Sequence, residues 1–414
     1  MSGSESRPAR RHILVLSHFY PPDPASVGQH SADAAAEMAA RGYRVTVISS
    51  DRDFEDPSKR YPRYVKRDGV DVHRVPWASF GKRTIFLRAL SMGMFMLHCL
   101  WAVISRRDVD AILVSTSPPL CGVAATVGHV LRGTPFLYWV MDLNPDQLIV
   151  LGKIGRNSLT ARISNLIQRR VLRRAGVVIP LDRFMEERLL RKADFRHKSH
   201  IIPPWPHERP APSLDHTDNW FREKHDLQDR FVIMYSGNHG LSTPVETMLA
   251  AAKQLEDTPQ VQFLFVGGGV RKKMIDEAIA NDRPTNVRSL PYQPREDLRF
   301  SLSSADLHLV SMEENVVGIV HPCKIYGAMT MGRPIVLLGP RPCHASEILE
   351  TEQIGWQVDT DDADGMAAAI REALALPSGE IREIGARAKE LADRRFSRDA
   401  LCSSFCDRLE ELVS

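Results

Sequence analysis

Short β-branched runs alternate with helical stretches along this chain, and the alternation starts twice. In the first half, residues 12–17, 43–49, 70–75, 111–115, 135–140 and 177–181 read as strands. A helix over 29–41, closed by Gly42, separates the first two. In the second half, strands over 231–236, 261–266, 306–310, 335–338 and 356–358 repeat the pattern, with a helix over 245–255 after the first. Strands divided by crossover helices demand parallel sheets with right-handed connections. The predicted fold is therefore α/β, with two Rossmann-like domains facing a cleft. Ligands in open sheets of this kind bind outside the carboxyl ends of the strands.

At 414 residues the chain exceeds one ordinary core, so two domains are the default. Between the halves lies Pro203-Pro204-Trp205-Pro206, then Pro210 and Pro212 among polar residues. This stretch reads as the linker, with the boundary near 205–220. The division is 1–205, 206–396, and a terminal helix, 397–414, that packs back on the first domain.

Hydrophobic residues make up 43% and charged residues 25%, as in a water-soluble globular chain. A net charge of +3 is too small to argue for nucleic acid as a partner. The cysteines, at 99, 121, 323, 343, 402 and 406, have no metal-ligand spacing. Without a secretory leader they read as reduced thiols in a cytoplasmic protein. Residues 85–104 are apolar but interrupted by Arg88, Ser91, Gly93 and His98, so a buried or interfacial helix is expected rather than a span. Arg169, Arg170, Arg173 and Arg174 interleave with Ile167, Val171 and Leu172, and Arg106 and Arg107 lie further back. They form either a solvated helix face or a contact for anionic headgroups, which would make the protein peripheral on the inner face of the plasma membrane.

Each chemically suggestive segment leaves the carboxyl end of an expected strand. Residues 321–336, HPCKIYGAMTMGRPIV, run from a loop into a short helix and on to a strand. Free N–H groups at that helix start, with Lys324 in its first turn, are a seat for phosphate. Tyr235 to Gly240, YSGNHG, offers backbone N–H groups at Gly237, Asn238 and Gly240 and a side chain, His239, toward phosphate or sugar. Gly268, within Gly267–Gly269, is either a tight turn or a place where a ligand meets backbone. Glu313 and Glu314 precede the Lys324 segment; Glu314 is a candidate for the donor sugar. In the first half, Gly28, Gln29 and His30 end the loop after the first strand. Asp142 follows residues 135–140 and either caps a helix or binds sugar hydroxyls or an acceptor group.

Together these segments resemble the family-four glycosyltransferases, which have the GT-B fold. The likeness is greatest to the branch that builds bacterial capsule, O-antigen and exopolysaccharide units. Residues 13–41 match that family's opening strand, glycine loop and helix. Asp142-Leu143-Asn144-Pro145-Asp146 matches D-L-W-P-E, with Asn and Asp replacing Trp and Glu. Tyr235 to Gly240 matches Y-x-G-N-x-G, and Pro322 to Pro334 matches P-S-K-x-Y-E-x-M-A-x-G-x-P. The resemblance implies a retaining, metal-free hexosyltransferase that uses a nucleotide-sugar donor, with no cofactor. It implies a polyprenyl-diphosphate-linked saccharide as acceptor. It puts donor binding at Gly237–Gly240, Gly268, Glu314, His321, Pro322, Lys324 and Tyr326, with the acceptor near Gly28, Gln29, His30 and Asp142. Catalysis would rest on Asp142 and Lys324. Two departures stand out. Ile319 and Gly327 occupy the places of the family's paired glutamates, and no Arg or Lys follows Gly240 to grip the diphosphate. A sugar-nucleotide 2-epimerase and a non-catalytic nucleotide binder are the alternatives.

Overall fold

The computed structural model describes residues 11–23, 25–53, 56, 58–78, 85–207 and 214–413, the side chains of 85, 86, 88 and 89 excepted. Pro210 and Pro212 lie outside the described residues. The chain divides into two compact units, residues 1–204 with 399–414, and 205–398.

The first unit carries β1 (His12–Leu16), β2 (Arg44–Ser50), β3 (Tyr64–Arg67), β4 (Val70–Val75), β5 (Ala111–Ser115), β6 (Phe136–Trp139) and β7 (Val177–Ile179). They form one seven-stranded sheet in the order β3-β4-β2-β1-β5-β6-β7. Every pairing is parallel except β3 with β4. Ile13, Leu14, Val47, Val114, Phe136 and Leu137 are almost wholly buried. That is the condition of strands covered by helices on both faces, and it explains their continuous apolar runs. β3 was not expected: all four of its residues are exposed, so no alternation marks it.

The helix Arg398–Glu410 belongs to this unit. Phe405 packs on Trp139 with ring centroids 4.5 Å apart. Arg41 donates to Asp407 at 2.7 Å, to Glu410 at 2.9 Å and to the Ser403 hydroxyl at 2.7 Å. Gly176 has no Cβ because one would stand 2.5 Å from a Leu412 methyl.

The second unit carries β8 (Phe231–Asn238), β9 (Val261–Gly268), β10 (Val287–Leu290), β11 (Leu307–Ser311), β12 (Ile335–Leu338) and β13 (Gly355–Val358). Their order is β10-β9-β8-β11-β12-β13, and all pairings are parallel. The chain order reverses between β8 and β11, the kind of switch point where loops part and open a crevice. The corresponding reversal in the first sheet lies between β1 and β5. Buried Arg222 closes the amino end of the second unit. It donates to the Ser304 carbonyl at 2.6 Å and to Asp306 at 3.1 Å.

Candidate functional site

β8 ends in Gly237-Asn238 and β9 in Gly267-Gly268, and they end together. Gly237 pairs with Gly267 and Asn238 with Gly268. A Cβ on Gly267 would lie 2.0 Å from the Gly237 carbonyl, and one on Gly269 would lie 2.5 Å from the His239 carbonyl. Both have positive φ, 133° and 126°. The two strand ends therefore pack backbone on backbone, and this contact itself demands glycine. Gly240 has no such demand; its nearest neighbour is the Asn238 amide at 3.4 Å.

Lys324 lies across this platform. A Cβ on Gly237 would stand 2.8 Å from its Cε. Its ammonium donates to the Tyr235 hydroxyl at 2.9 Å and the Asn238 carbonyl at 3.3 Å, and lies 4.6 Å from the Tyr235 ring centroid. These partners are neutral oxygens, and among the described residues no carboxylate pairs with it. Two of its three donors are engaged, leaving one for a ligand. Burial acts to raise the Tyr235 phenol, but the Lys324 charge and hydrogen bonds from Lys324, Ser311 and Thr243 outweigh it, so its pKa is lowered.

The helix behind Lys324 spans only Lys324–Thr330. Its entry does not present the row of free N–H groups expected from sequence. The N–H groups of Cys323, Ile325 and Tyr326 bond to the carbonyls of His321, Pro322 and Cys323, at 2.9, 3.2 and 3.2 Å. A tight turn consumes them, so the anion seat rests on the Lys324 side chain more than on the helix start.

His239 is fully buried between Tyr235 and Phe265. Its Nδ1 meets the Gly268 carbonyl at 3.1 Å. Burial pushes its pKa down to about 4, against that hydrogen bond and helped by the Lys324 and Lys272 charges. The neutral, buried imidazole ties the two strand ends together through Nδ1, while its Nε2 has no hydrogen-bond partner among the described residues. Gly268 lies under Tyr292, which follows β10: a Cβ there would be 2.7 Å from the Tyr292 ring, and that ring is 53% exposed. β10, with its polar V-R-S-L, was not anticipated, and neither was Tyr292.

Beyond Lys324, the Tyr326 hydroxyl joins two histidines, 2.7 Å from His321 Nε2 and 2.9 Å from His344 Nε2. Tyr326 and Pro322 are buried, and His321 is half-buried. Glu314 is exposed. Its neighbour Glu313 is half-buried, and burial raises its pKa, opposed by Arg271 and aided by Asp361 and Glu246. Ile319 is 0% exposed, so an apolar side chain fills core where the family places a carboxylate.

In the first unit, Asp142 follows β6. The nearby helix, Asp146–Val150, has Pro145 at its N-cap, so Asp142 is not a cap. Its backbone is fixed by Thr116, beyond β5, whose hydroxyl accepts from the N–H groups of Met141 at 2.9 Å and Asp142 at 3.0 Å. Desolvation pushes the half-buried Asp142 carboxyl up to about 6. Asp146, four residues on, is bonded to Lys192.

The first-strand loop is shorter than expected, because the helix begins at Ser26 and runs to Ala40. Gly28, Gln29 and His30 are thus helical. A Cβ on Gly28 would meet the Phe19 backbone at 2.8 Å, so this glycine serves its own loop's packing. His30 is buried, with its Nδ1 2.9 Å from the Ser26 carbonyl and its ring 6.0 Å from that of Trp139.

Two family models match this chain: the glycosyl transferase 4-like domain over residues 26–205 and glycosyl transferases group 1 over residues 217–391. The chain is 24% identical over 405 residues to a putative colanic acid biosynthesis glycosyl transferase, WcaI, of Escherichia coli K12, covering 95% of this chain and 98% of the relative. It is 22% identical to a probable glycosyltransferase, WbjE, of Pseudomonas aeruginosa, covering 97% and 98%. Among solved structures, the Anabaena protein HepE, in complex with UDP and glucose, superposes with a TM-score of 0.68 at 15% identity, covering 97% of this chain and 100% of that one.

Proposed function

Since the chain belongs to the group 1 glycosyltransferases of family four, with the two parallel α/β sheets of the GT-B fold, we propose that it moves a hexose from a nucleotide sugar to a polyprenyl-diphosphate-linked saccharide during surface polysaccharide synthesis, on the cytoplasmic face of the membrane. The observation that carries this reading is Lys324, a half-buried ammonium held over glycine backbone by neutral oxygens alone. Such a cation suits the diphosphate of the donor, and its remaining donor points the same way. Tyr292, two strands away over Gly268, offers a ring for the nucleoside end.

In the transfer, the bond from the anomeric carbon to the diphosphate oxygen breaks. A bond from that carbon to the acceptor oxygen forms with retention, and the acceptor proton leaves with the diphosphate. Negative charge grows on the leaving group, where Lys324 stabilises it. Asp142 accepts a hydrogen bond from the acceptor hydroxyl and fixes its approach; a carboxyl raised toward neutral pH is suited to that.

The test is incubation with a panel of nucleotide sugars, with and without lipid-linked saccharides, read by mass spectrometry. A product carrying both sugar and acceptor supports the reading. Donor isomerised without acceptor would make this an epimerase. A non-catalytic binder is the second reading, favoured by the buried Ile319; tight donor binding with no turnover on any acceptor would establish it.

A further inference from the structure

Three neighbouring helices of the first unit contain no acidic residue: Ile85–Ser105, Gly122–Arg132 and Leu159–Arg174. The first packs on the second and the second on the third. Glycines in the middle helix bring them close. A Cβ on Gly128 would lie 2.6 Å from a Val103 methyl, and one on Gly122 would lie 2.7 Å from a Val171 methyl. More than half of the exposed large apolar side chains described in the molecule lie on these helices.

On the first helix, Leu97, Trp101 and Ile104 are 59%, 70% and 42% exposed, at three- and four-residue spacing that puts them on one stripe. On the third, Leu159, Ile163 and Leu166 are 73%, 48% and 49% exposed on another. That stripe continues as Arg162, Arg169, Arg170, Arg173 and Arg174, all exposed. Among the described residues none of these five guanidinium groups has an acidic partner, whereas Arg41, Arg183 and Arg196 of the same unit all do. A solvated helix face ordinarily carries both signs of charge and few large apolar groups. Large exposed apolar patches mark interaction sites.

We infer that this three-helix face docks on a bilayer bearing anionic lipids. The apolar stripes enter the headgroup boundary, and the arginines lie at the phosphate level. Charge decides the occupant: helices free of acidic residues and carrying unpaired arginines are complementary to anionic headgroups, and two copies of that face would repel. The helices lie on the surface and do not cross it, because no described helix is long and apolar enough to span. The inference rests on the lipid-linked acceptor for its purpose, and identifies the part of the chain that brings the enzyme to it.

The experiment is flotation of the full-length protein with vesicles of phosphatidylcholine alone, or with about a quarter phosphatidylglycerol, at low salt and at about 0.5 M salt. Wild type is expected to float with anionic vesicles at low salt and to be largely released by high salt. The set Arg169→Gln, Arg170→Gln, Arg173→Gln, Arg174→Gln should weaken partitioning about a thousandfold. Leu97→Ser with Trp101→Ser should weaken it at both salt concentrations. These side chains are exposed, and UDP or GDP affinity measured on the same samples reports that the fold is intact. If nucleotide binding is normal and partitioning ignores lipid charge, or is unchanged in both variants, the inference is overturned while the donor reading stands. Sedimentation showing a dimer that Trp101→Ser dissolves, with no vesicle binding, would also overturn it in favour of a second copy.

Discussion

The carboxyl ends of the two sheets are built on opposite electrostatic terms. In the second unit the ammonium of Lys324 rests on neutral oxygens, and the strand ends beside it are stripped to backbone. In the first unit the prominent charge is the carboxyl of Asp142, its backbone fixed by Thr116 and its proton retained up to about pH 6 by desolvation. Nearby, Asp146 is paired with Lys192 and Arg271 with Glu246. Among the described residues neither Lys324 nor Asp142 has an ion-pair partner; in the proposed reaction a diphosphate would face the first and a hydroxyl donor the second.

The contrast can be broken from either side. The largest expected effect belongs to Asp142→Ala. Turnover should fall by about a hundredfold or more while donor affinity is kept, the signature of a group used at the reacting step or in acceptor placement. Steady-state rates with calorimetry on one preparation check it, and loss of donor affinity would move Asp142 out of that role. Next comes Lys324→Ala, expected to weaken nucleoside diphosphate binding by about 1.5–3 kcal/mol, the range for a charged hydrogen bond. Calorimetry with UDP and GDP decides; unchanged affinity for whichever binds would remove Lys324 from the diphosphate seat.

The third effect is on stability. A carboxyl raised from 3.8 to about 6 binds its proton more tightly folded than unfolded. Below pH 4 both states are protonated and nothing is lost. As pH rises from 4 to 6 the unfolded state ionises first, so stability falls, and above pH 6 the cost is full. Asp142→Asn should therefore stabilise by about 1–3 kcal/mol at pH 8 and by nothing measurable near pH 3.5. Denaturant midpoints at the two pH values test the sign. The smallest effect is Tyr235→Phe. It removes one neutral partner of Lys324 and should weaken nucleotide binding by about 0.5–1.5 kcal/mol, less than Lys324→Ala in the same titration. An equal or larger loss would make the phenol, not the ammonium, the main contact.

Much of this was legible along the chain. The buried parallel strands announce themselves because both faces are apolar, as in Ala111–Ser115 and Ile335–Leu338. β3 and β10 do not, because β3 lies exposed at an edge of the first sheet and β10 is a short, polar edge strand of the second. Lys324 stood out as a charge at an element start, but its partner Tyr235 lies 89 residues away. Thr116 and Asp142 are likewise joined across 26 residues. Contacts of that range follow from strand order, which no local pattern encodes. Close backbone packing is hidden in the same way: at Gly28 and Gly267 the chain's own backbone fills the space a side chain would need, and the burial of His239 follows from the strands it sits between.

The most direct measurement is mass spectrometry of the purified protein with a panel of nucleotide sugars, in the presence and absence of polyprenyl-diphosphate saccharides. Nucleoside diphosphate should be released only when acceptor is present, with an equal amount of acceptor heavier by one sugar. Release or isomerisation of donor that does not depend on acceptor, or tight donor binding with no transfer to any acceptor, would contradict a transferase that seats its donor at Lys324 and its acceptor at Asp142.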